Sequence, residues 1–216
     1  ENMEQARPYS NRLSEIIQNL LPEVDRDLLP LLEVRNVNRV AYVVVTSDKG
    51  LAGSFNSSIL RKADIEIDEI GKENVDVFCI GKKARDYFKT RGYNIIESHV
   101  DFWGELNFNH AIKIGNGIIG HFLNGHVDEI RVTYNEFVNV ATQMVLTEKL
   151  LPLEYEAGEG AVADRLYEPS KDEIVKSLVP RHLNVQMWKY LLESFASEQA
   201  ARMVAVENAT SNSEDM

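Results

Sequence analysis

The sequence predicts an α/β fold: a layered domain, with a mostly parallel sheet and an antiparallel edge hairpin, carries an antiparallel two-helix coiled coil. Three observations predict it. Strands alternate with amphipathic helices in the middle of the chain, two strand candidates adjoin near residue 140, and both ends show heptad patterns. These patterns divide the chain into an N-terminal helix over residues 1–22, an α/β globular domain over 38–168 and a C-terminal helical segment over 171–216.

Both ends of the chain carry apolar or small residues at alternating steps of three and four, the spacing of a coiled-coil seam. The N-terminal seam consists of Met3, Ala6, Ser10, Leu13, Ile17 and Leu20. The C-terminal seam consists of Leu192, Ala196, Gln199, Met203, Val206 and Thr210. Two helices from opposite ends of the chain would bury both seams by packing together. Two separate surface helices lying on the sheet are the alternative.

The first unit of the middle region is a strand, a glycine turn and a helix. Residues 39–47 (RVAYVVVTS) are β-branched and nearly all apolar, which predicts a buried strand. Beyond the turn, apolar residues recur at three- and four-residue steps, which predicts one buried helical face. That face consists of Phe55, Ile59, Ala63, Ile67 and Ile70. Gly71 follows and is expected to end this helix.

Further strands and helices follow in alternation. "VDVFCIG" predicts a second buried strand, "KKARDYFKTRG" a short helix and "YNIIES" a third strand. The next helix is expected to bury a stripe of Phe108, Ile112, Ile119 and Leu123. "VDEIRVTYNEF" and "ATQMVLTEKLLPL" are separated by only a few residues, so these two strands should pair antiparallel. The result is a Rossmann-like layered domain.

The composition restricts the classes of function. A chain of 216 residues can bury a sizeable core without disulfides, and the only cysteine, Cys79, lies in an apolar run. A net charge of −11 without a cluster of Lys and Arg argues against nucleic-acid binding. No apolar run reaches the roughly 20 residues needed to cross a bilayer. These numbers indicate a protein that folds in a reducing compartment.

The turn after the first strand, "SDKGLAGSFNSS", invites comparison with a phosphate-binding loop. A P-loop requires two glycines around four residues and then Lys with Ser or Thr, but here Lys49 precedes Gly50 and Gly53 comes three residues later. The three-glycine dinucleotide fingerprint is also incomplete. The interpretation is a tight turn, with Ser54 or Asn56 capping the following helix. A nucleotide-binding enzyme or regulator that uses Gly50 and Gly53 is the alternative function.

Other candidates for chemistry are weak. Asp48 could accept a phosphoryl group or bind Mg²⁺, but no acidic pair appears near the other strand ends, so it is interpreted as a turn residue. His121 and His126 do not have the spacing of a metal site. Adjacent carboxylates such as Glu66 and Asp68 are expected on a solvated helix face. The sequence therefore predicts no catalytic residue, no cofactor and no metal.

Three segments carry a resemblance to a known family. Residues 197–203 read SEQAARM, residues 208–210 read NAT, and residues 47–53 read SDKGLAG. Together they closely resemble the signature of the gamma subunit of F-type ATP synthases. "EQARPYS" resembles part of that family's first long helix, and "LYEPS" resembles its link into the final helices. The resemblance extends through essentially the whole chain.

The resemblance implies a mechanical function. Gamma subunits form the central-stalk rotor that couples proton flow through the c-ring to ATP synthesis or hydrolysis at the alpha and beta subunits. The implied partners are alpha, beta, epsilon and the c-ring, on the cytoplasmic face of the bacterial inner membrane. Family members extend further at both ends, so the chain is expected to represent the globular portion and lower shaft. Glu198, Gln199 and Arg202 are the predicted partner-contacting residues, with Glu198 and Arg202 able to pair four residues apart.

Overall fold

The computed structural model describes residues 2–154 and 170–216. Its helices and strands, in chain order, are α1 (Asn2–Leu20), β1 (Val40–Val45), α2 (Phe55–Ile70), β2 (Val75–Ile80), α3 (Lys82–Thr90), β3 (Asn94–His99), α4 (Phe108–Leu123), β4 (Glu129–Asn139), β5 (Thr142–Leu151) and α5 (Lys171–Glu214). Every strand and helix predicted from the sequence is present. The segment "LYEPS" and the domain boundary at residue 168 lie wholly or largely outside the described residues.

The five strands form one sheet in the order β3-β2-β1-β4-β5. β1 pairs in parallel with both β2 and β4, β2 pairs in parallel with β3, and β4 and β5 form the antiparallel hairpin. The predicted α/β class with a mostly parallel sheet and an antiparallel edge is therefore confirmed.

The sheet is covered on both faces, which explains the continuous apolar runs of its central strands. Alternate residues of β1 belong to two different core clusters: Tyr42 packs with residues of α2 and α3, whereas Val43 packs with residues of α4 and α5. Cys79 is buried on the α2 side, as expected, and burial raises the pKa of its thiol to about 12. That cysteine therefore stays protonated and packs as a small apolar side chain.

The predicted buried stripe of α4 is wrong. Phe108 and Leu123 are exposed, and Ile112 and Ile119 are only half-buried. The residues that α4 buries are Ala111, Ile114, Gly115, Ile118 and Phe122. The positions of the large apolar residues suggested the wrong helical face, because the face that α4 buries also contains small residues, Ala111 and Gly115. At Gly115 a Cβ atom would lie 3.3 Å from the Asn184 side chain of α5, so the missing side chain allows the two helices to approach closely.

The predicted face of α2 is confirmed, but its predicted cap is not. Phe55, Ile59, Ala63 and Ile67 are buried, and Gly71 ends the helix with a φ of 104°. Ser54 occupies the N-cap position without a capping hydrogen bond from its side chain. Asn56 instead reaches back to the end of β1, because its Oδ1 accepts from the backbone N–H of residue 47 at 2.9 Å. The turn thus holds its shape by bonds within itself.

The two terminal helices pack against each other in opposite directions. Of the N-terminal seam, Ala6, Ser10, Leu13, Ile17 and Leu20 are all buried, as predicted. The direction follows from two hydrogen-bonded pairs, since Ser10 bonds Gln186 whereas the earlier residue Arg7 bonds the later residue Glu193.

The C-terminal seam is buried only in part. Leu192 is buried, but Gln199, Met203, Val206 and Thr210 are exposed, so the predicted burial of these four residues is wrong. The physical reason is the extent of α1. Met3, near its first residue, already lies beside residues 196–206 of α5. Among the described residues, no turn of α1 covers the last turns of α5.

Candidate functional site

A groove lies where the turn after β1, the loop after β3 and the helix α5 meet. Its volume is about 450 Å³. Its lining residues are Asp48, Lys49, Asp101, Trp103, Gly104, Phe195, Glu198, Gln199 and Arg202. The structure therefore brings all three predicted partner-contacting residues together with the glycine turn singled out in the sequence. We refer to this surface as the turn groove.

Arg202 connects α5 to the glycine turn. Its guanidinium donates to Glu198 Oε1 at 2.7 Å and to the carbonyl oxygen of Gly50 at 3.0 Å. The predicted pair four residues apart is present, and Arg202 is half-buried. Glu198 is buried and Gln199 is exposed. Gly50 thus contributes a backbone acceptor to the helix and not a donor to a phosphate.

Asp48 holds three chain segments together. Its Oδ1 accepts from the backbone N–H of Lys82, the first residue of α3, at 2.8 Å, and its Oδ2 accepts from the N–H of Asp101 at 2.9 Å. Asp101 in turn pairs with the Lys82 side chain at 2.8 Å, and this hydrogen bond raises the pKa of Lys82. Asp101 is a single carboxylate and not an acidic pair, and the two backbone bonds of Asp48 are those of the turn residue that the sequence predicts. Asp101 lies in the loop after β3 and has a φ of 62°.

α5 forms one wall of the crevice in which an open α/β sheet usually binds a ligand, and a cavity of about 210 Å³ remains beside it. Such crevices lie at the carboxyl ends of the strands, where the strand order reverses, here between β1 and β4. Ala201, Val204 and Ala205 of α5 line this position beside the glycine turn. Below them, Ser197 Oγ donates to the carbonyl of Asn135 at 3.4 Å. This packing leaves the glycine turn facing a helix, which disfavours the nucleotide-binding alternative.

A buried carboxylate joins α1, α5 and the sheet. The side chain of Glu193 is fully buried and forms a two-pronged ion pair with Arg7, whose Nη2 lies 2.6 Å from Glu193 Oε2. Glu193 Oε2 also accepts from the backbone N–H of Phe137 in β4 at 2.8 Å, and Arg7 Nη2 donates to the Phe137 carbonyl at 2.6 Å. The hydrogen bond to Glu193 raises the pKa of Arg7. The sequence gives no sign of this pair, because its partners are 186 residues apart.

A half-buried carboxylate, Glu148, lies between two tyrosines. Glu148 of β5 accepts from the hydroxyl of Tyr134 at 2.8 Å and from the hydroxyl of Tyr190 at 3.0 Å. The rings of the two tyrosines lie 4.7 Å apart. Burial, and then the nearby Glu148 charge, raises the pKa of Tyr190 well above its ordinary value. Both hydroxyls therefore stay protonated and act as donors that hold α5 on the hairpin.

His182 is a buried histidine on α5 next to these contacts. It is 5 % exposed, and its Nδ1 atom is buried without a hydrogen-bond partner. Burial, and secondarily the Lys189 charge, lowers the pKa of His182 from 6.5 to about 4. The imidazole is therefore neutral in the folded protein at pH 7.

His182 should make folding stability depend on pH between 6.5 and 4. Between pH 6.5 and 4 the imidazole of His182 is protonated in the unfolded chain and neutral in the folded chain. Stability is therefore complete above pH 6.5 and falls by at most about 1.4 kcal/mol per pH unit until pH 4. His182→Gln should flatten this part of the curve in urea unfolding at stepped pH. Equal slopes for the wild type and His182→Gln would contradict the assignment.

Within residues 2–154 and 170–216, no group of three or more His, Cys, Asp or Glu side chains is arranged to hold a metal ion. No helix in the same part of the chain combines the length and the apolar character needed to cross a membrane.

Known proteins resemble this chain in sequence and in fold. A family model described as ATP synthase matches residues 1–216. The ATP synthase gamma chain of Chlorobaculum parvum is 42 % identical over 220 residues, covering 98 % of this chain and 75 % of that protein. The ATP synthase gamma chain of Prosthecochloris aestuarii is 40 % identical over 225 residues, covering 100 % of this chain and 76 % of that protein.

The fold is similar to that of solved ATP synthase structures. A chain from the Tetrahymena thermophila mitochondrial ATP synthase central stalk and c-ring has a TM-score of 0.67 at 22 % identity, covering 97 % of this chain and 100 % of that one. A chain from the Euglena gracilis mitochondrial ATP synthase rotor has a TM-score of 0.62 at 21 % identity, covering 98 % and 89 %. With the match of the family model to the whole chain and relatives at about 40 % identity, this chain belongs to the gamma subunit family of ATP synthases.

Proposed function

We propose that this chain is the central-stalk rotor subunit of an F-type ATP synthase. By rotating, it couples proton flow through a c-ring to ATP synthesis or hydrolysis on alpha and beta subunits. Its partners are the alpha and beta subunits, the epsilon subunit and the c-ring. It performs no catalysis itself, and it lies peripherally at the cytoplasmic face of a bacterial inner membrane.

The observation that carries the proposal is the way a long helix stands on the globular domain. α5 contains 44 residues, and its first half is buried against the sheet and α1 whereas its last turns are exposed. At 1.5 Å per residue such a helix is about 66 Å long, well beyond the width of the sheet. The relatives are ATP synthase gamma chains, and the solved neighbours come from a central stalk and a rotor.

The turn groove supports a contact with a neighbouring subunit. Glu198, Gln199 and Arg202 line it together, and Gln199 is exposed. Arg202 and Glu198 satisfy each other, so they offer a fixed polar surface and not two mobile charges. We assign this groove to a contact with the catalytic alpha and beta subunits, because it lies where α5 leaves the globular domain.

Reconstitution tests the proposal. Alpha, beta and epsilon subunits should co-purify with the chain, and the complex on its c-ring in vesicles should pump protons when ATP is added. Omission of the chain should abolish pumping. The isolated chain should hydrolyse no ATP, because its glycine turn lacks the spacing of a phosphate-binding loop. ATP turnover that survives stringent purification, or pumping without the chain, would refute the proposal. Gln199→Trp, which places bulk in the groove, should weaken assembly, and Arg12→Trp on the exposed face of α1 should not.

A further inference from the structure

Four buried polar side chains form a stripe along α5. Gln186, Tyr190, Glu193 and Ser197 follow one another at steps of four, three and four, so they lie on one helical face. Their exposed fractions are 8 %, 2 %, 0 % and 0 %. A buried helical face is ordinarily apolar. We call these four residues the polar stripe.

The four members of the polar stripe bond three different elements: α1, β5 and β4. Gln186 Nε2 donates to Ser10 Oγ of α1 at 2.7 Å, and the Tyr190 hydroxyl donates to Glu148 of β5 at 3.0 Å. Glu193 and Ser197 both reach β4. Glu193 accepts from the N–H of residue 137, while Ser197 donates to the carbonyl of residue 135.

Arg7 of α1 contacts the polar stripe at Glu193. It bonds both Glu193 and the backbone carbonyl of Phe137, so a single cluster connects α1, α5 and β4. These bonds are directional, and a two-pronged ion pair between a guanidinium and a carboxylate fixes the angle of both partners. Apolar seam contacts are not directional and tolerate a small rotation or shift of one helix against another. The polar bonds are therefore the contacts that define the angle of α5.

We propose that the polar stripe, with Glu193 at its centre, is the joint that fixes the angle of the two-helix stem on the globular domain. Glu193 and Arg7 are positioning residues: they touch neither nucleotide nor proton path, but they make the stem turn together with the domain. The apolar seam supplies stability, and the polar stripe supplies angular stiffness. This inference rests on the proposed rotor function.

The test is a double variant that removes the charges without leaving either one unpaired. Arg7→Met with Glu193→Leu replaces an ion pair, in which Glu193 is buried and Arg7 is half-buried, by apolar side chains of similar length. Proteins often tolerate such a change without loss of stability. The variant is introduced into the complete ATP synthase. Two quantities are measured: protons pumped per ATP hydrolysed, and the angular fluctuation of a probe on the globular domain of a single complex held at its alpha and beta subunits.

The joint predicts that the double variant assembles and hydrolyses ATP, pumps fewer protons per ATP by about twofold or more, and shows wider angular fluctuation. The matched control is Ile17→Val in the apolar seam, which should lower stability slightly and leave both quantities unchanged. If the double variant fails to assemble, the same two quantities are measured on Glu193→Gln. This variant keeps the shape of the side chain and the acceptor for the N–H of residue 137 but loses the charge, so it should also pump fewer protons per ATP and fluctuate more widely. Arg7→Lys should restore part of the stiffness lost in Arg7→Met.

The outcomes separate the two proposals. A wild-type complex that does not need this chain for pumping refutes the rotor function itself. A wild-type complex that pumps, together with variants that match it in pumping ratio and in angular fluctuation, refutes only the joint. Narrowed fluctuation in the double variant would also overturn the joint, since it would show that the apolar seam is the stiffer contact.

Discussion

Arg7→Met is expected to lower the free energy of unfolding by about 3–5 kcal/mol, because it leaves the fully buried Glu193 carboxylate without its countercharge. The N–H of Phe137 would still donate to that carboxylate, but a single backbone donor does not compensate a buried charge. The loss should be measured by urea or guanidinium unfolding at pH 7, followed by circular dichroism.

Two further variants serve as the control and the rescue for Arg7→Met. Arg12→Met, on the exposed face of the same helix, should change stability by less than about 0.5 kcal/mol. The double variant Arg7→Met with Glu193→Leu should recover most of the loss, because no charge is then buried alone. A drop for Arg7→Met no larger than that for Arg12→Met would show that water reaches Glu193, and the buried pair would not be a structural element.

Gly81→Ala is expected to destabilise the protein by about 3 kcal/mol or more, because two penalties add. Gly81 has a φ of 89°, which side chains rarely adopt, and an added Cβ would lie 2.3 Å from the carbonyl oxygen of Thr46. That oxygen belongs to the backbone at the end of β1, so it cannot rotate away. The shift would also disturb Thr46 Oγ1, which donates to Ile80 and accepts from the N–H of Ala84 at 2.9 Å.

Gly120→Ala is the matched control for this variant. Gly120 lies inside α4, and an added Cβ there would meet no atom within 4 Å. Alanine favours the helix over glycine, so stability should rise by about 0.5–1 kcal/mol. Thermal unfolding of both variants gives the comparison. A Gly81→Ala protein as stable as the wild type would contradict the prediction. It would show that the backbone between β2 and α3 moves away from Thr46 without a cost in free energy.

The elements of this fold could be predicted because their signals are local. Runs of apolar residues identified β1 and β2. Apolar residues at three- and four-residue steps identified the buried face of α2. The face of α4 could not be predicted in the same way. Small residues such as Ala111 and Gly115 carry little apolar signal, yet they are buried because α5 packs close to them.

The turn groove was predictable only in its parts. The segment SEQAARM and the glycine turn were both recognised in the sequence, and the family that they indicated is confirmed. Nothing in the sequence placed Arg202 against Gly50, which lies 152 residues earlier. The contact forms because α5 crosses the carboxyl edge of the sheet, and that crossing depends on the packing of the whole domain.

The sequence by itself determined the order of strands and helices, the seam of α1 and the family, because each is written in residue types at short spacing. Only the tertiary structure decided which polar groups are buried and what they bond. Arg7 and Glu193 look like ordinary surface charges on amphipathic helices, and Tyr190 looks like one more apolar position. They become a joint because two ends of the chain meet on β4, and burial then requires every charge and hydroxyl to find a partner.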